Sequence, residues 1–249
     1  MYLAAVTENR LPEWPSCPAL FLDLDGTLLE FADQPDAVEP SDRLKNLLGR
    51  LAEFSDGAVA FVSGRTIEDL DRLLAPHRFA LAGVHGNERR DVDGNRLPSG
   101  VDRRALDVLR ARLERFRDEH SGIIVEDKGI SLALHFRQRP DLGAEIDEYC
   151  AELDDDMPAG FELLRGNKVV EIKPTGQNKG TAIGRFMTEP PFAGKTPIFI
   201  GDDVTDEAGF EVVNRLGGMS IKVDNGDTVA RWHLPDIDAV LEWLEEALV

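Results

Sequence analysis

The sequence predicts an α/β fold, a doubly wound parallel sheet into which a smaller α+β domain is inserted. Three observations predict it. Short apolar runs alternate with helical patterns towards both ends of the 249 residues, the pattern of strands joined by crossover helices. The middle instead reads as helix, hairpin, helix, hairpin, a small antiparallel unit. Carboxylates, a serine and a lysine recur at or near the ends of the parallel strands, and open α/β sheets bind ligands beyond those ends.

The elements follow in order. Ala19-Leu20-Phe21-Leu22 is a short apolar run that suits a buried strand. Residues 42–53, after Pro40-Ser41, are a helix, and AVAFV (58–62) is a strand. Thr66 opens a helix, with T-I-E-D offering a capping box to Asp69. FALAGV (79–84) is a third strand. In the middle, Leu106, Leu109, Leu113 and Phe116 step by three, four and three along one helix face. IIVED and ISLALHF, parted by Lys128-Gly129, form a hairpin. Leu142, Ile146, Cys150 and Leu153 mark a helix over 141–155, and FELLR pairs with KVVEI through Gly166-Asn167. The chain then returns to PIFIG (197–201), a helix over 205–215, SIKV (220–223) and an amphipathic helix over 236–248. The expected division is therefore 1–98 for the first part of the core, 99–173 for the inserted domain and 174–249 for the rest of the core.

A net charge of −19 argues against general binding to nucleic acid or an anionic membrane. An anionic ligand then needs a local concentration of positive charge, which makes lysine positions informative. The two cysteines, Cys17 and Cys150, lie in unrelated contexts without metal-type spacing. No leader pattern and no run of membrane-spanning length is visible, so a cytoplasmic protein is expected, and a monomer. The first strand is followed by no G-x-G-x-x-G, and 175–181 lacks the spacing of a phosphate-binding P-loop.

The first strand ends in Asp23-Leu24-Asp25-Gly26-Thr27, the second in Ser63-Gly64-Arg65, and the strand at 197–201 in Asp202-Asp203-Val204-Thr205-Asp206. Gln177-Asn178-Lys179-Gly180-Thr181 opens the helix before that last strand. Five carboxylates around one point need a cation, and all-oxygen ligands suit Mg²⁺. Asp23 can then act as nucleophile towards a phosphoryl group, with Asp25 moving the proton. Each motif also has a plainer reading. A lone D-x-D can be a turn, Ser63 can start a helix, and Asp206 with Glu207 can complement a helix dipole. Lys179 fits that plainer scheme least, because a cation in the first helical turn opposes the dipole.

DLDGT, SGR, NKG and GDDVTDE, in that order, resemble the four motifs of the haloacid-dehalogenase-like phosphatases. The resemblance implies that Asp23 forms an aspartyl-phosphate and Asp25 is the general acid and base. It implies Ser63 and Lys179 on the phosphate, and Mg²⁺ held by Asp23, the backbone carbonyl of Asp25, and Asp202. Asp203 and Asp206 would support these ligands or add one. The inserted domain would be a mobile cap over the core. GVHGNERR, VEDKGISLALHFR and KVVEIKPTGQNKG extend the likeness to the trehalose-phosphatase family, whose substrate is a sugar phosphate. By that likeness Arg65, His85, Gly86, Glu126, Lys128, Lys168 and Glu171 face the substrate. Glu126 and Lys128, two apart, would share one strand face, with the alternative of a surface ion pair at a hairpin tip. Strict alternation sets Lys168 on the face opposite Glu171, so Glu171 is the better candidate. Leu132, Leu134 and Phe136 are expected in the cap core, with His135 and Arg137 on the other face.

Overall fold

The computed structural model describes residues 11–30, 39–97 and 100–248. The first ten residues and the expected domain boundary at 98/99 lie outside it. β1 (Pro18–Leu22), α1 (Asp42–Phe54), β2 (Val59–Val62), α2 (Ile67–Leu74), β3 (Ala80–Gly83) and β4 (Glu88–Arg90) come first. After the intervening unit come α5 (Lys179–Phe186), β9 (Thr196–Gly201), α6 (Glu207–Arg215), β10 (Met219–Val223), β11 (Trp232–Leu234) and α7 (Ile237–Glu246). Their strands form one sheet in the order β11-β10-β9-β1-β2-β3-β4, parallel except for β4. The chain winds outward from β1 through β2 and β3 on one side, and from β9 through β10 on the other. The β1/β9 boundary is thus the topological switch point, the place where such sheets bind ligands.

The apolar runs are continuous because both faces of the sheet are covered. Leu20 and Leu22 of β1 join a core with leucines of α1 and α2 and with Leu241 and Leu244 of α7. Ala19 and Phe21 face the other way, into a core with Ile183 and Phe186 of α5 and Phe210 of α6. The helices start where the sequence signals them. Ser41 caps α1 by accepting from Leu44 N, and Thr66 caps α2 by accepting from Asp69 N at 3.1 Å. Only half of the expected capping box forms at α2, since the Asp69 carboxylate accepts from the Thr66 hydroxyl at 2.8 Å.

The middle of the chain makes α3 (Arg103–Glu119), β5 (Ile124–Asp127), β6 (Leu132–His135), α4 (Gly143–Asp155), β7 (Phe161–Gly166) and β8 (Val169–Pro174). Its four strands form an antiparallel sheet in the order β5-β6-β8-β7. One face packs Leu132, Leu134, Val170 and Ile172 against Leu109 and Leu113 of α3 and Ile146 and Leu153 of α4. The other face carries the row Glu126, Ala133, Glu171 and Leu164, which stand opposite one another in register.

Several elements differ from the sequence expectation. The third strand stops at Gly83, because Val84 and His85 take positive φ (46° and 54°) and turn the chain. The helices expected at 141 and 205 each begin as a 3-10 turn, Pro140–Leu142 and Val204–Asp206. β4 and β11 were not expected; three residues apiece, they carry too short a pattern to read. Among the described residues, no helix is long and apolar enough to cross a membrane.

Leu109 of α3 is fully buried in the core of the smaller sheet. Leu109→Ala is expected to destabilise the protein by about 2–5 kcal/mol through the cavity it leaves, measured by urea unfolding.

Candidate active site

The switch point gathers the acidic motifs. Asp23 follows β1, and its amide donates to the Ile200 carbonyl of β9 at 3.0 Å, which sets it beside the loop that follows β9. Lys179 is the first residue of α5, whose N-cap Asn178 forms a reciprocal capping box with Thr181. From there its side chain, 2% exposed, reaches Asp23 Oδ1 at 3.0 Å and Asp206 Oδ1 at 2.7 Å. Asp206 is wholly buried, and its Oδ2 accepts from the amides of Asp202 and Asp203 at 3.1 and 3.0 Å. A side chain at Gly201 would collide with the Asp206 carboxylate, so this close approach requires glycine. Thr27 donates to Asp202 Oδ1 at 3.1 Å, and the Lys222 ammonium donates to the Asp202 carbonyl.

Asp23, Asp202 and Asp206 each offer a carboxylate oxygen within 4.8 Å of the others. Burial pushes Asp23 well above its ordinary range, and the Asp206, Asp202 and Asp25 charges add to the effect while Lys179 opposes it. Burial, reinforced by Asp206, raises Asp202 to about 6. Burial works against the Lys179 ammonium, yet Asp206 and Asp23 outweigh it and raise its pKa. Three clustered carboxylates have one ammonium in direct contact with two of them, a charge imbalance and an oxygen donor set that fit a hard divalent cation. The Asp25 carboxylate stands outside this cluster. It pairs with Arg65, whose Nε and Nη2 donate at 2.7 and 2.6 Å. That leaves the backbone carbonyl of Asp25 as the part of this residue with a metal-binding expectation.

Ser63, 1% exposed, directly follows β2, and its hydroxyl oxygen accepts from the Arg65 amide at 3.2 Å. Asp203 caps the 3-10 turn after β9 in a reciprocal capping box with Asp206, and its carboxylate accepts from Val204 N at 2.7 Å.

The smaller sheet meets this end of the core through Glu171. Its Oε2 lies 3.0 Å from Lys128 Nζ and 3.3 Å from His85 Nε2, and its Oε1 accepts from Ser131 at 2.8 Å. Burial would raise the Glu171 pKa, but the Lys128 charge and the His85 contact prevail and hold it at about 2. Lys128 also donates to the Gly64 carbonyl at 2.9 Å, beside Ser63. Burial holds the His85 pKa below its ordinary value despite Glu171. Gly86, with φ of 98°, leaves no room for a Cβ, which would sit 2.6 Å from the Asn178 carbonyl at the start of α5. Glu126 lies 2.8 Å from His135 Nε2. That pairing and the nearby Lys128 charge lower its pKa against the larger, opposing effect of burial.

The structure therefore brings together Asp23, Lys179, Asp202 and Asp206, and ties Ser63, Arg65 and Asp25 to one another beside them. His85, Lys128 and Glu171 form the junction with the smaller sheet. Lys168 is not brought to either group. It sits exposed in the turn between β7 and β8 with φ of 65°, its ammonium 6.0 Å from the centre of the Phe136 ring. Alternation counted from Lys168 does not apply, because that residue precedes the strand. Sequence reasoning missed Thr27, Ser131 and Lys222, and left His135 as structural. A lysine inside the apolar run SIKV was the one readable signal among them.

A trehalose-phosphatase family model matches residues 21–236. The chain is 45% identical over 241 residues to the trehalose-6-phosphate phosphatase of Escherichia coli K12, covering 95% of this chain and 89% of that one. It belongs to the trehalose-phosphatase family. Members of this family are phosphoric monoester hydrolases. The solved C-terminal domain of Candida albicans trehalose-6-phosphate phosphatase superposes with a TM-score of 0.83 at 26% identity, covering 94% of this chain and 92% of that one. A phosphatase of the haloalkanoate (HAD) superfamily from Bacteroides thetaiotaomicron, 16% identical, shares the fold with a TM-score of 0.61 over 98% of this chain and 100% of that one. The trehalose-phosphatase family thus brings a HAD-type fold to this chain, a doubly wound core carrying a second sheet.

Glu171 carries a testable linkage. Its pKa is depressed from 4.5 to about 2, so its stabilisation is fully present above pH 4.5 and is lost as pH falls through about 2. Wild type should exceed Glu171→Gln in stability by about 3 kcal/mol at pH 7. Chemical denaturation between pH 7 and pH 2 should show that gap closing below about pH 4.5.

Proposed function

We propose that this chain hydrolyses trehalose 6-phosphate to trehalose and phosphate, the last step of trehalose synthesis, through an aspartyl-phosphate on Asp23. The observation that carries the reading is the convergence of Asp23, Lys179 and Asp202 at the switch point of a trehalose-phosphatase fold. The likeness to the Escherichia coli enzyme supports the choice of sugar.

Mg²⁺ suits the hard oxygen donors, and Asp23, Asp202 and the Asp25 carbonyl would hold it. When bound, it supplies positive charge to the phosphoryl oxygens and screens the clustered carboxylates. Lys179 favours the ionised form of Asp23 against burial and orients it through Oδ1, leaving Oδ2 to attack phosphorus. Ser63 donates its hydroxyl proton to a phosphoryl oxygen, and Lys179 offers a second donor. As the bond from Asp23 forms, the bond from phosphorus to the sugar oxygen breaks, and Asp25 delivers a proton to that oxygen. Water then attacks the phosphorus of the aspartyl-phosphate and gives a proton to Asp25, which frees Asp23 and phosphate. Arg65 holds both Asp25 oxygens, so it fixes the direction of the carboxylate and must yield one oxygen for proton transfer.

The smaller sheet acts as the cap that admits the disaccharide. Glu126 and Lys128 meet its hydroxyls with an acceptor and a donor. Lys128 also touches the Gly64 carbonyl, so sugar recognition and the phosphate loop share one ammonium. Closing such a lid excludes water and completes the site.

Phosphate release in Mg²⁺ should be much faster from trehalose 6-phosphate than from glucose 6-phosphate or sucrose 6-phosphate. Equal rates on all three would overturn the choice of sugar. Asp23→Asn should lower kcat by several orders of magnitude while substrate binding persists; substantial turnover would remove Asp23 as nucleophile. Glu126→Ala should lower kcat/KM about 10- to 100-fold on trehalose 6-phosphate, and much less on a small aryl phosphate. Equal losses on both would move Glu126 off the sugar site.

A further inference from the structure

β10 delivers a lysine to the acidic loop that none of the steps above uses. Every residue of Met219–Val223 is buried, and Lys222 is 6% exposed. An ammonium inside a sheet covered on both faces is costly unless it is paired. Ile221 and Val223 point into the core under α1 and α7, so Ser220 and Lys222 point towards the opposite layer. Lys222 stands in register with Gly201 of β9. Its side chain therefore lies alongside the end of β9, where the acidic loop begins.

Its ammonium donates to the Asp202 carbonyl. The remaining contacts are weaker: the Val223 carbonyl at 3.5 Å and the Asp224 carboxylate at 3.4 Å, the latter 56% exposed. A solvent-facing partner of this kind contributes little. The buried partner is the backbone of the loop itself.

We propose that Lys222 is a positioning residue of the metal site. It clamps the peptide between Asp202 and Asp203, so that the Asp202 carboxylate faces Asp23 while the two amides stay on Asp206. Asp202 is then held at both ends, by Thr27 at its carboxylate and by Lys222 at its carbonyl. The charge matters as well as the bond. Lys179 is already shared by Asp23 and Asp206, and Lys222 brings a second positive charge to the loop that carries Asp202, Asp203 and Asp206. The inference rests on the reading that Asp23 and Asp202 hold a divalent cation.

Calorimetric titration of Mg²⁺ into the purified enzyme without substrate tests it, beside steady-state kinetics and melting. Lys222→Met should weaken Mg²⁺ binding about ten- to a hundredfold, the usual effect of removing a group that orients a metal ligand. The Mg²⁺ concentration for half-maximal activity should rise in step, with KM for the substrate at saturating Mg²⁺ little changed. Lys222→Gln, neutral and too short to reach the carbonyl in the same way, should weaken binding similarly and serves if the Met variant does not fold. Asp224→Asn should leave Mg²⁺ affinity unchanged, since it removes only the exposed partner. Unaltered Mg²⁺ affinity in the Met and Gln variants, with a lower melting temperature alone, overturns the inference. Absence of Mg²⁺ binding to the wild type overturns the metal reading, and the inference with it.

Discussion

The Lys179 ammonium is shared between Asp23 and Asp206, with all three groups sealed from water. Burial disfavours the charged form of Asp23, and the Asp206 charge adds to that effect. The ammonium reverses part of that cost and sets the distance between the end of β1 and the loop after β9. It can do so because α5 begins with it. The Asn178/Thr181 capping box fixes the first turn of that helix, and a helix start is a poor place for a cation unless anions face it. Those anions face it here. Removing the ammonium would leave two buried carboxylates without a counter-charge, which is why the rest of the site presupposes it.

A second constraint lies at the junction with the smaller sheet. Glu171 is saturated by Lys128, His85 and Ser131. Two of these come from the cap sheet's own loop and one from the core, so a single carboxylate ties the layers together. The core side reaches it only because the chain leaves β3 through two residues with positive φ, Val84 and His85. Such backbone is uncommon for branched or bulky residues and persists where surrounding contacts demand it. The Val84 and His85 amides donate to the Arg65 and Ser63 carbonyls, and Gly86 then passes tightly under the start of α5. Strain, glycine and the contact with Glu171 together seat His85 against the loop Ser63-Gly64-Arg65.

The sheet was legible because burial on both faces leaves continuous apolar runs, and its strand ends were legible because carboxylates interrupt those runs. Asp23 could be placed from that alone and Lys179 from its position as a cation in a first helical turn, whereas Ser63 by itself read equally as a helix start. Asp206 could not be weighed correctly, since an acid in a first helical turn has an ordinary explanation; only the fold shows it buried against Lys179. Lys168 was set by counting alternation through a turn, where the period of two does not hold. β4 and β11 escaped because three residues carry no period. Thr27 and Ser131 act through another side chain across long sequence separations, and such contacts leave no local pattern.

The loop Ser63-Gly64-Arg65 shows how little chain is needed to join these parts. The buried Ser63 hydroxyl accepts from the Arg65 amide, Arg65 grips Asp25, and the Gly64 carbonyl receives Lys128 from the smaller sheet. His85 packs so closely over Gly64 that a Cβ there would lie 2.7 Å from its ring. The Ser63 hydroxyl, the Asp25 carboxylate and the smaller sheet therefore meet on three consecutive residues at the end of one strand. Displacing any of them by a fraction of an ångström moves the others, because a close-packed interior has no slack to absorb it. A cap that binds the wrong sugar and settles in another position would shift Lys128 off the Gly64 carbonyl. If this loop aligns the phosphate as proposed, specificity is coupled to rate without a separate device.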